Sequence, residues 1–172
     1  MSRTVPSWLD DPVCVVVGAG DGVEAVAHEL AAAGATIARG PVTDDTEAAL
    51  AAIEIADKAA GDPVSILVHA SGGNDVAAKA YGEAFAKYLD KTNLKGNILL
   101  LEPVGAGAET SLASLCGPKL RANAITSTYV ATGPREKLRA LGELASYLAS
   151  DYAAYVCGAC LGIDRSDKRR RA

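Results

Sequence analysis

The sequence predicts an α/β protein with a doubly wound parallel sheet of about six strands. Two observations indicate this fold class: short apolar runs rich in β-branched residues recur along the chain, and segments with apolar residues at helical spacing separate them. Strands that alternate with helices are joined by right-handed crossovers, which place helices on both faces of a parallel sheet. The length of 172 residues fits one domain, which we expect to span residues 1–166.

The first half of the chain supplies three strands and three helices. Residues 13–17 are four valines and a cysteine, a run typical of a strand buried on both faces. A helix over 23–33 and a short strand over 35–38 follow. Acidic caps within 43–47 begin a helix that reaches residue 60, and 64–69 repeats the buried-strand pattern. The apolar stripe of the third helix is Tyr81, Ala84, Phe85, Tyr88 and Leu89.

The second half supplies three more strands, predicted over 97–101, 122–125 and 155–163, and a short helix over 111–115. Pro134 suits the first turn of a longer helix. The apolar face of that helix is Leu138, Leu141, Ala145 and Leu148. The basic residues at 168–171 indicate a solvated, disordered tail over 167–172, with anion binding as the alternative.

Composition and charge argue against several classes of function. A net charge of −4 and only eight aromatic residues do not favour a nucleic-acid surface. No apolar run approaches the roughly 18 residues of a membrane span. The first residues, MSRTVPSWLDD, lack the apolar core of a signal peptide. We therefore expect a cytoplasmic protein that binds neither nucleic acid nor membrane.

The four cysteines are predicted to be reduced thiols, because a cytoplasmic chain of this length needs no disulfide framework. Cys157 and Cys160 have the CxxC spacing of some metal and redox sites. They lie, however, in the predicted last strand, where residues three apart point to opposite faces. We interpret both as core cysteines and predict no metal site.

A glycine-rich loop, Gly18-Ala-Gly20-Asp-Gly22, joins the first strand to the first helix. In an α/β fold, N–H groups and the helix dipole at this position receive the pyrophosphate of a dinucleotide. From this loop onward the chain resembles the short-chain dehydrogenase/reductase family, whose TGxxxGIG loop aligns with residues 17–24. In family order, LVHASG at 67–72 resembles LVNNAG, RANAI at 121–125 resembles RVNAI, and LASD at 148–151 resembles the closing block. The resemblance implies a Rossmann-like fold.

The glycine loop departs from the family pattern at its third glycine, which is Glu24 here. A carboxylate about 4 Å from a phosphate is repelled by about 1 kcal/mol in water and about 4 kcal/mol at an effective dielectric of about 20. The alternative is an acidic residue that favours a helix N-terminus. We therefore interpret Gly18, Gly20 and Gly22 as a degenerate remnant blocked by Glu24, and expect no cofactor in this chain.

The adenosine side of the site is shortened as well. After the second strand, residues 39–43 lead directly into the next helix cap, so a helix and most of a strand are missing relative to the family. The acidic residue that would bind the ribose hydroxyls is absent from the end of the second strand. The sequence therefore predicts a truncated Rossmann-like sheet, with this helix–strand pair shortened.

The catalytic residues of the family have no counterpart. The family uses a tyrosine and a lysine four residues later, and none of the six tyrosines is followed by lysine at that distance. Pro103 stands at the position of the catalytic serine and has no hydroxyl group. Asn93 matches the catalytic asparagine in Asn-Leu-Lys-Gly, but we interpret it as a backbone cap. We predict no catalytic residue in this chain.

The two histidines are the candidates for a different active site. His28 lies in the middle of a helix, where a surface or hydrogen-bonded histidine is expected. His69 ends a strand, at the edge where parallel sheets bind ligands. Ser71 and Asp75 are close in sequence, but no nucleophile with an orienting third group accompanies His69. We therefore do not expect a hydrolase.

The block from Leu141 to Asp164 keeps the family pattern best, and in the family it resembles the surface that builds tetramers. We therefore expect a pseudoenzyme subunit that assembles with a full-length, active short-chain dehydrogenase as a heterotetramer, with NAD bound by the partner. The resemblance implies that the partner oxidises a secondary alcohol to a ketone. One candidate substrate is a hydroxyacyl-CoA such as 2-(hydroxyphenylmethyl)succinyl-CoA of anaerobic toluene degradation.

Two alternatives stay open at this stage. The chain is a stand-alone small-molecule-binding or regulatory module that uses the residual cleft at residues 18–22 and 72–74, or it is a dehydrogenase that works through unrecognised residues. Absence of tight nicotinamide binding by the isolated chain separates the subunit from the first alternative, and absence of turnover separates it from the second.

Overall fold

A computed structural model describes residues 9–70, 72, 74–105 and 115–163. Its strands are β1 (Val13–Val17), β2 (Thr36–Gly40), β3 (Val64–Ala70), β4 (Gly96–Glu102), β5 (Leu120–Thr126) and β6 (Cys160–Gly162). Its α-helices are α1 (Asp21–Ala32), α2 (Thr46–Ala60), α3 (Asp75–Thr92) and α4 (Arg135–Ala149), with a 3₁₀ helix at Asp151–Ala153. The strands form one parallel sheet in the order β2-β1-β3-β4-β5-β6. The predicted doubly wound α/β fold is confirmed.

Two apolar layers bury the two faces of the sheet. Helices α2 and α3 cover one face, where Ile53 and Phe85 lie in one apolar cluster with Val15 of β1. Helices α1 and α4 cover the other face, where Leu30 packs in one cluster with Val16. Because successive strand residues point to opposite faces, a strand between two layers needs apolar residues at every position. This explains the uninterrupted apolar runs of β1 and β4.

Polar residues cap helices α2 and α3. Asp45 caps α2 by accepting a hydrogen bond from the Glu47 N–H at 2.8 Å. Asn74 caps α3 by accepting one from the Ala77 N–H at 3.3 Å. Asn93 ends α3 with φ of +56°, and its N–H donates to the carbonyl of Leu89, so its predicted role as a backbone cap is confirmed. For β1 to β5, α1 and α2, the predicted ends agree with the observed ends within two residues.

The last strand is much shorter than the predicted 155–163, and that prediction was wrong. The side chain of Asn123 accepts a hydrogen bond from the Ala159 N–H and donates one to the carbonyl of Val156. The Gly158 N–H donates to the carbonyl of Ala122 at 2.7 Å. These bonds hold residues 156–159 in a turn, so β6 begins only at residue 160.

The cysteine interpretation changes with this turn. Cys157 is exposed rather than part of the core, which corrects the prediction, and Cys160 is half-buried at the start of β6. Cys14 is buried within β1, and burial raises the pKa of its thiol. The sequence-based argument about opposite strand faces therefore does not apply to Cys157.

Several expectations lie outside the described residues. The short helix predicted over 111–115 is among them except for Leu115, as are the tail over 167–172 and the domain boundary at 166. Within the described ranges, no helix combines the length and apolarity needed to cross a bilayer.

Candidate functional site

The carboxyl ends of the parallel strands meet at one side of the sheet, which we call the carboxyl edge. In open α/β sheets, ligands bind at this edge, where the strand order changes direction. The opposite side, where the strands begin, is the amino edge. The sequence-selected residues at the carboxyl edge are Gly18, Gly20, Gly22, Glu24, His69 and Pro103. Asn93, at the end of α3 and before β4, lies at the amino edge instead.

The glycine loop packs directly against a segment that follows β5, which we call the closing segment (Tyr129–Thr132). Gly20 has φ of +130°, and a Cβ atom built on it would lie 2.7 Å from the carbonyl oxygen of Val130. A Cβ on Gly22 would lie 2.7 Å from the carbonyl oxygen of Tyr129. Glycine is required here for this close backbone approach, because any side chain would push the closing segment away.

The closing segment takes up N–H groups at the N-terminus of α1. The Asp21 N–H donates to the carbonyl of Ala131 at 2.8 Å, and the Gly22 N–H donates to the carbonyl of Val130 at 3.0 Å. The Thr132 hydroxyl donates to the Asp21 carboxylate at 2.8 Å. A helix N-terminus binds anions through such N–H groups. A pyrophosphate that used the Asp21 and Gly22 donors would have to displace the closing segment.

Glu24 lies in the first turn of α1 and forms an ion pair with Arg39 at the end of β2. The Arg39 Nη2 and Glu24 Oε2 atoms are 2.6 Å apart, and both side chains are partly exposed. The pair joins the first turn of α1 to the strand end where a Rossmann-like site recognises the ribose. It offsets the negative charge of Glu24 and at the same time occupies the Arg39 side chain.

Side chains from α3 fill the space beneath the carboxyl edge. The Tyr81 hydroxyl donates to the carbonyl of Pro41 at 2.6 Å, and the Tyr81 ring lies 5.3 Å from the His69 ring. His69 is fully buried, and neither ring nitrogen has a hydrogen-bond partner among the described residues. Burial lowers the pKa of His69 to about 4, so the ring is neutral at pH 7.

The two buried tyrosines have the wrong electrostatics for the family's proton donor. Burial raises the pKa of Tyr81 to about 12. Burial and a hydrogen bond to the Asp57 carboxylate raise the pKa of Tyr88 to about 12, and the Tyr88 hydroxyl also accepts a bond from the Val64 N–H. A lysine helper would lower a tyrosine pKa. Both hydroxyls therefore act as structural links between elements.

The remaining predicted residues do not form a second site. His28 is exposed on α1, and Asp75 is exposed in the first turn of α3, whereas His69 is buried. Ser71 lies outside the described residues. No group of three histidine, cysteine or acidic side chains in the described part of the chain is arranged to hold a metal ion.

Sequence reasoning missed the closing segment because its acceptors are main-chain carbonyls, which any residue carries. One signal was present: Ser127-Thr128 replaces the Pro-Gly pair that usually follows the RVNAI block in the family. The Ser127 hydroxyl accepts a hydrogen bond from the Tyr129 N–H at 3.0 Å, which turns the chain back toward α1.

The amino edge carries a cleft of about 620 Å³. Its walls come from the starts of β3, β4 and β5 and from residues around the 3₁₀ helix. Lys95, Asn97 and Arg121 line it. Asn97 donates to the carbonyl of Leu148 at 2.7 Å, while its buried side-chain oxygen has no hydrogen-bond partner among the described residues. Arg121 donates to the carbonyls of Ala153 and Ser150.

Comparison with known proteins identifies the fold. No protein-family model and no curated protein matches the sequence. A short-chain dehydrogenase from Mycobacterium smegmatis superposes with a TM-score of 0.73 at 16% identity, over 98% of this chain and 98% of that chain. An enoyl-(acyl-carrier-protein) reductase from Anaplasma phagocytophilum, in complex with NAD, superposes with a TM-score of 0.71 at 16% identity, over 95% of this chain and 94% of that chain. The Bacillus cereus enoyl-(acyl-carrier-protein) reductase, with NADP+, superposes with a TM-score of 0.69 at 18% identity, over 93% of this chain and 97% of that chain. The chain therefore has a six-stranded, Rossmann-like α/β fold similar to the folds of these proteins.

Proposed function

We propose that this chain is a noncatalytic subunit of a hetero-oligomeric, NAD-dependent short-chain alcohol dehydrogenase. The observation that carries the proposal is that the closing segment occupies the N-terminus of α1 at the carboxyl edge. Asp21 and Gly22, in the first turn of α1, donate to the closing segment of the same chain. Similar structures contain bound NAD or NADP+. In this chain, the two N–H groups are instead bonded to carbonyls of its own main chain. The geometry supports a chain that binds no nicotinamide cofactor of its own.

The chemistry of the same edge supports the absence of catalysis. Pro103 follows β4 at the position expected for a serine, and Tyr81 and Tyr88 have pKa values near 12. A proton donor that works near neutral pH needs a pKa close to the working pH. Turnover is therefore assigned to a full-length partner, which binds NAD and oxidises a secondary alcohol to a ketone.

The C-terminal part of the chain provides a surface for that partner. Three tyrosines in or after α4, Tyr147, Tyr152 and Tyr155, are 42%, 74% and 101% exposed. Tyrosine is enriched at protein interfaces because its ring buries a large apolar area while its hydroxyl stays hydrated. Among the described residues, strand β6 forms one end of the sheet, and an edge strand is a place where a strand of another chain can add. These features support a heterotetramer built through this surface.

Substrate and compartment follow from the partner. A hydroxyacyl-CoA such as 2-(hydroxyphenylmethyl)succinyl-CoA is the substrate we propose for the complex, which would place it in anaerobic toluene degradation in the cytoplasm. The test is turnover of this thioester by the purified complex and not by this chain alone. Oxidation of other secondary alcohols only would contradict the proposed substrate and would still support the subunit role.

Co-purification tests the subunit role directly. A tagged chain expressed in its native host should retain a full-length short-chain dehydrogenase through size exclusion. Tyr155→Asp should abolish the association, because it places a charge on the proposed surface. Val42→Asp is the matched control, since Val42 is 63% exposed beside β2 at the other end of the sheet. A stable homo-oligomer with no dehydrogenase partner would contradict the proposal.

Calorimetric titration tests the role of the closing segment. The isolated chain should show no tight binding of NADH or NADPH, whereas the complex should bind NADH at the partner's sites. Micromolar affinity of the isolated chain for either nucleotide would contradict the proposal.

The second candidate function is a stand-alone small-molecule-binding module. The amino-edge cleft of about 620 Å³ favours it, because a cavity of this size suits a small organic ligand. Binding of an acyl-CoA by the isolated chain, weakened by Lys95→Ala, would support this candidate. Binding that appears only in the presence of the partner would favour the subunit.

A further inference from the structure

Two cysteines from distant parts of the sequence meet at the amino edge. The Sγ atoms of Cys157 and Cys116 are 2.6 Å apart, so the two sulfur atoms are in direct contact. Cys116 lies just before β5, and Cys157 lies in the turn before β6. Both residues are exposed, so a small reagent in solvent has access to the pair.

Hydrogen bonds from two residues of β5 position the segments that carry both thiols. The Cys116 thiol lies 3.7 Å from the carbonyl oxygen of Ala122, and the Gly158 N–H donates to that same carbonyl. The Asn123 side chain bonds to Val156 and Ala159 on either side of Cys157. Because two neighbouring residues of one strand anchor both segments, the two sulfurs are positioned together rather than brought into contact by chance.

We propose that Cys116 and Cys157 are a redox-sensitive modification site that forms a reversible intramolecular disulfide. The site is independent of the proposed subunit role, since it depends only on the geometry of this chain. Cys160 is not part of it, although it completes the CxxC spacing. Cytoplasmic disulfides are mostly transient and regulatory, which fits an exposed thiol pair of this kind.

The reaction is a thiol–disulfide exchange with a small-molecule disulfide such as oxidised glutathione. The Cys157 thiolate attacks one sulfur of the reagent, forms a mixed disulfide and releases one glutathione thiolate. Cys116 then loses its proton and attacks the Cys157 sulfur, which releases the second glutathione thiolate. The two cysteines are oxidised, the reagent is reduced, and both cysteine protons end on glutathione. Burial raises the pKa of the Cys116 thiol, which lowers its thiolate fraction.

The disulfide would tie the start of β5 to the turn before β6. Closing a loop of about 40 residues removes conformational freedom from the unfolded chain and so stabilises the folded one. We expect the melting temperature of the oxidised protein to lie roughly 10 °C above that of the reduced protein.

The experiment compares the full chain after equilibration in oxidised or reduced glutathione. Oxidised wild type should lose the mass of two hydrogens, carry no glutathione adduct and show the rise in melting temperature. Cys116→Ser and Cys157→Ser should each abolish both changes, while their melting temperatures match reduced wild type. Cys160→Ser, the matched control, should keep both changes.

The opposite results would overturn the assignment. These are an unchanged mass, a stable glutathione adduct on wild type, loss of both changes in Cys160→Ser, or a disulfide-linked dimer. None of these results bears on whether the chain binds a dehydrogenase, so the two proposals fail separately.

Discussion

The two edges of the same sheet differ in how their polar groups are used. At the carboxyl edge, the Asp21 and Gly22 N–H groups are bonded to the closing segment, and Glu24 is paired with Arg39. At the amino edge, a cleft of about 620 Å³ stays open, and the Asn97 side-chain oxygen in its wall has no hydrogen-bond partner among described residues. At the edge where this fold usually binds ligands, the first turn of α1 is thus bonded to the chain's own carbonyls, while the amino edge carries an open cleft. Function follows the site rather than the fold.

The largest expected effect comes from displacing the closing segment. Gly20→Ala forces a side chain into a backbone with φ of +130° and places its Cβ 2.7 Å from the Val130 oxygen. We expect the free energy of unfolding to fall by about 3 to 4 kcal/mol in urea denaturation. The control is Gly61→Ala, at φ of +77° with no atom within 4 Å, which should cost about 1 kcal/mol. Equal free energies of unfolding for the two variants would show that the closing segment moves away from residue 20 at little cost.

Acid should weaken the carboxyl edge through His69. Its folded pKa of about 4 lies below the usual value of 6.5, so below pH 6.5 the unfolded chain binds a proton that the folded chain does not. Stability from neutral His69 is complete above pH 6.5 and falls by about 3 kcal/mol as the pH approaches 4. His69→Leu should remove this loss, whereas His28→Gln, at an exposed position, should keep it. Parallel pH curves for wild type and His69→Leu would refute this prediction.

A smaller effect is expected at the amino edge from Asn123. Asn123→Ala removes two hydrogen bonds and leaves the Val156 carbonyl and the Ala159 N–H without their partner. We expect a loss of about 2 to 3 kcal/mol in the free energy of unfolding and slower oxidation of the cysteine pair. Asn97→Ala, which removes one such bond, should cost about 1 kcal/mol and leave the oxidation rate unchanged. An unchanged oxidation rate in Asn123→Ala would show that the Asn123 hydrogen bonds do not position the two thiols.

The smallest effect is expected from the charge at the first turn of α1. Glu24→Gly restores the family's third glycine, but Asp21 and Gly22 still donate to the closing segment. We expect NADH affinity in calorimetry to rise less than tenfold, and stability to change by no more than about 1 kcal/mol. Glu29→Gly, five residues further along the same helix, controls for helix propensity. Micromolar NADH binding by Glu24→Gly would show that the carboxylate, not the closing segment, blocks the site.

Local patterns were enough to predict most of the fold. Val13–Val17 reads as a strand because a strand between two helical layers needs an apolar side chain at each position. Asp45, within the predicted caps at 43–47, marks the start of α2 because its side chain accepts an N–H group of the first turn. The same reasoning failed over 155–163, where the apolar run favours a strand and Asn123, more than thirty residues away, holds a turn.

The sequence by itself determined the sheet and its flanking helices, since periodicity and residue identity are local properties. Only the tertiary structure decided how the closing segment covers α1 and how Cys116 reaches Cys157. The physical reason is that these contacts join main-chain carbonyls or side chains far apart in sequence. A carbonyl is common to every residue, and the approach of distant segments depends on how the whole sheet packs.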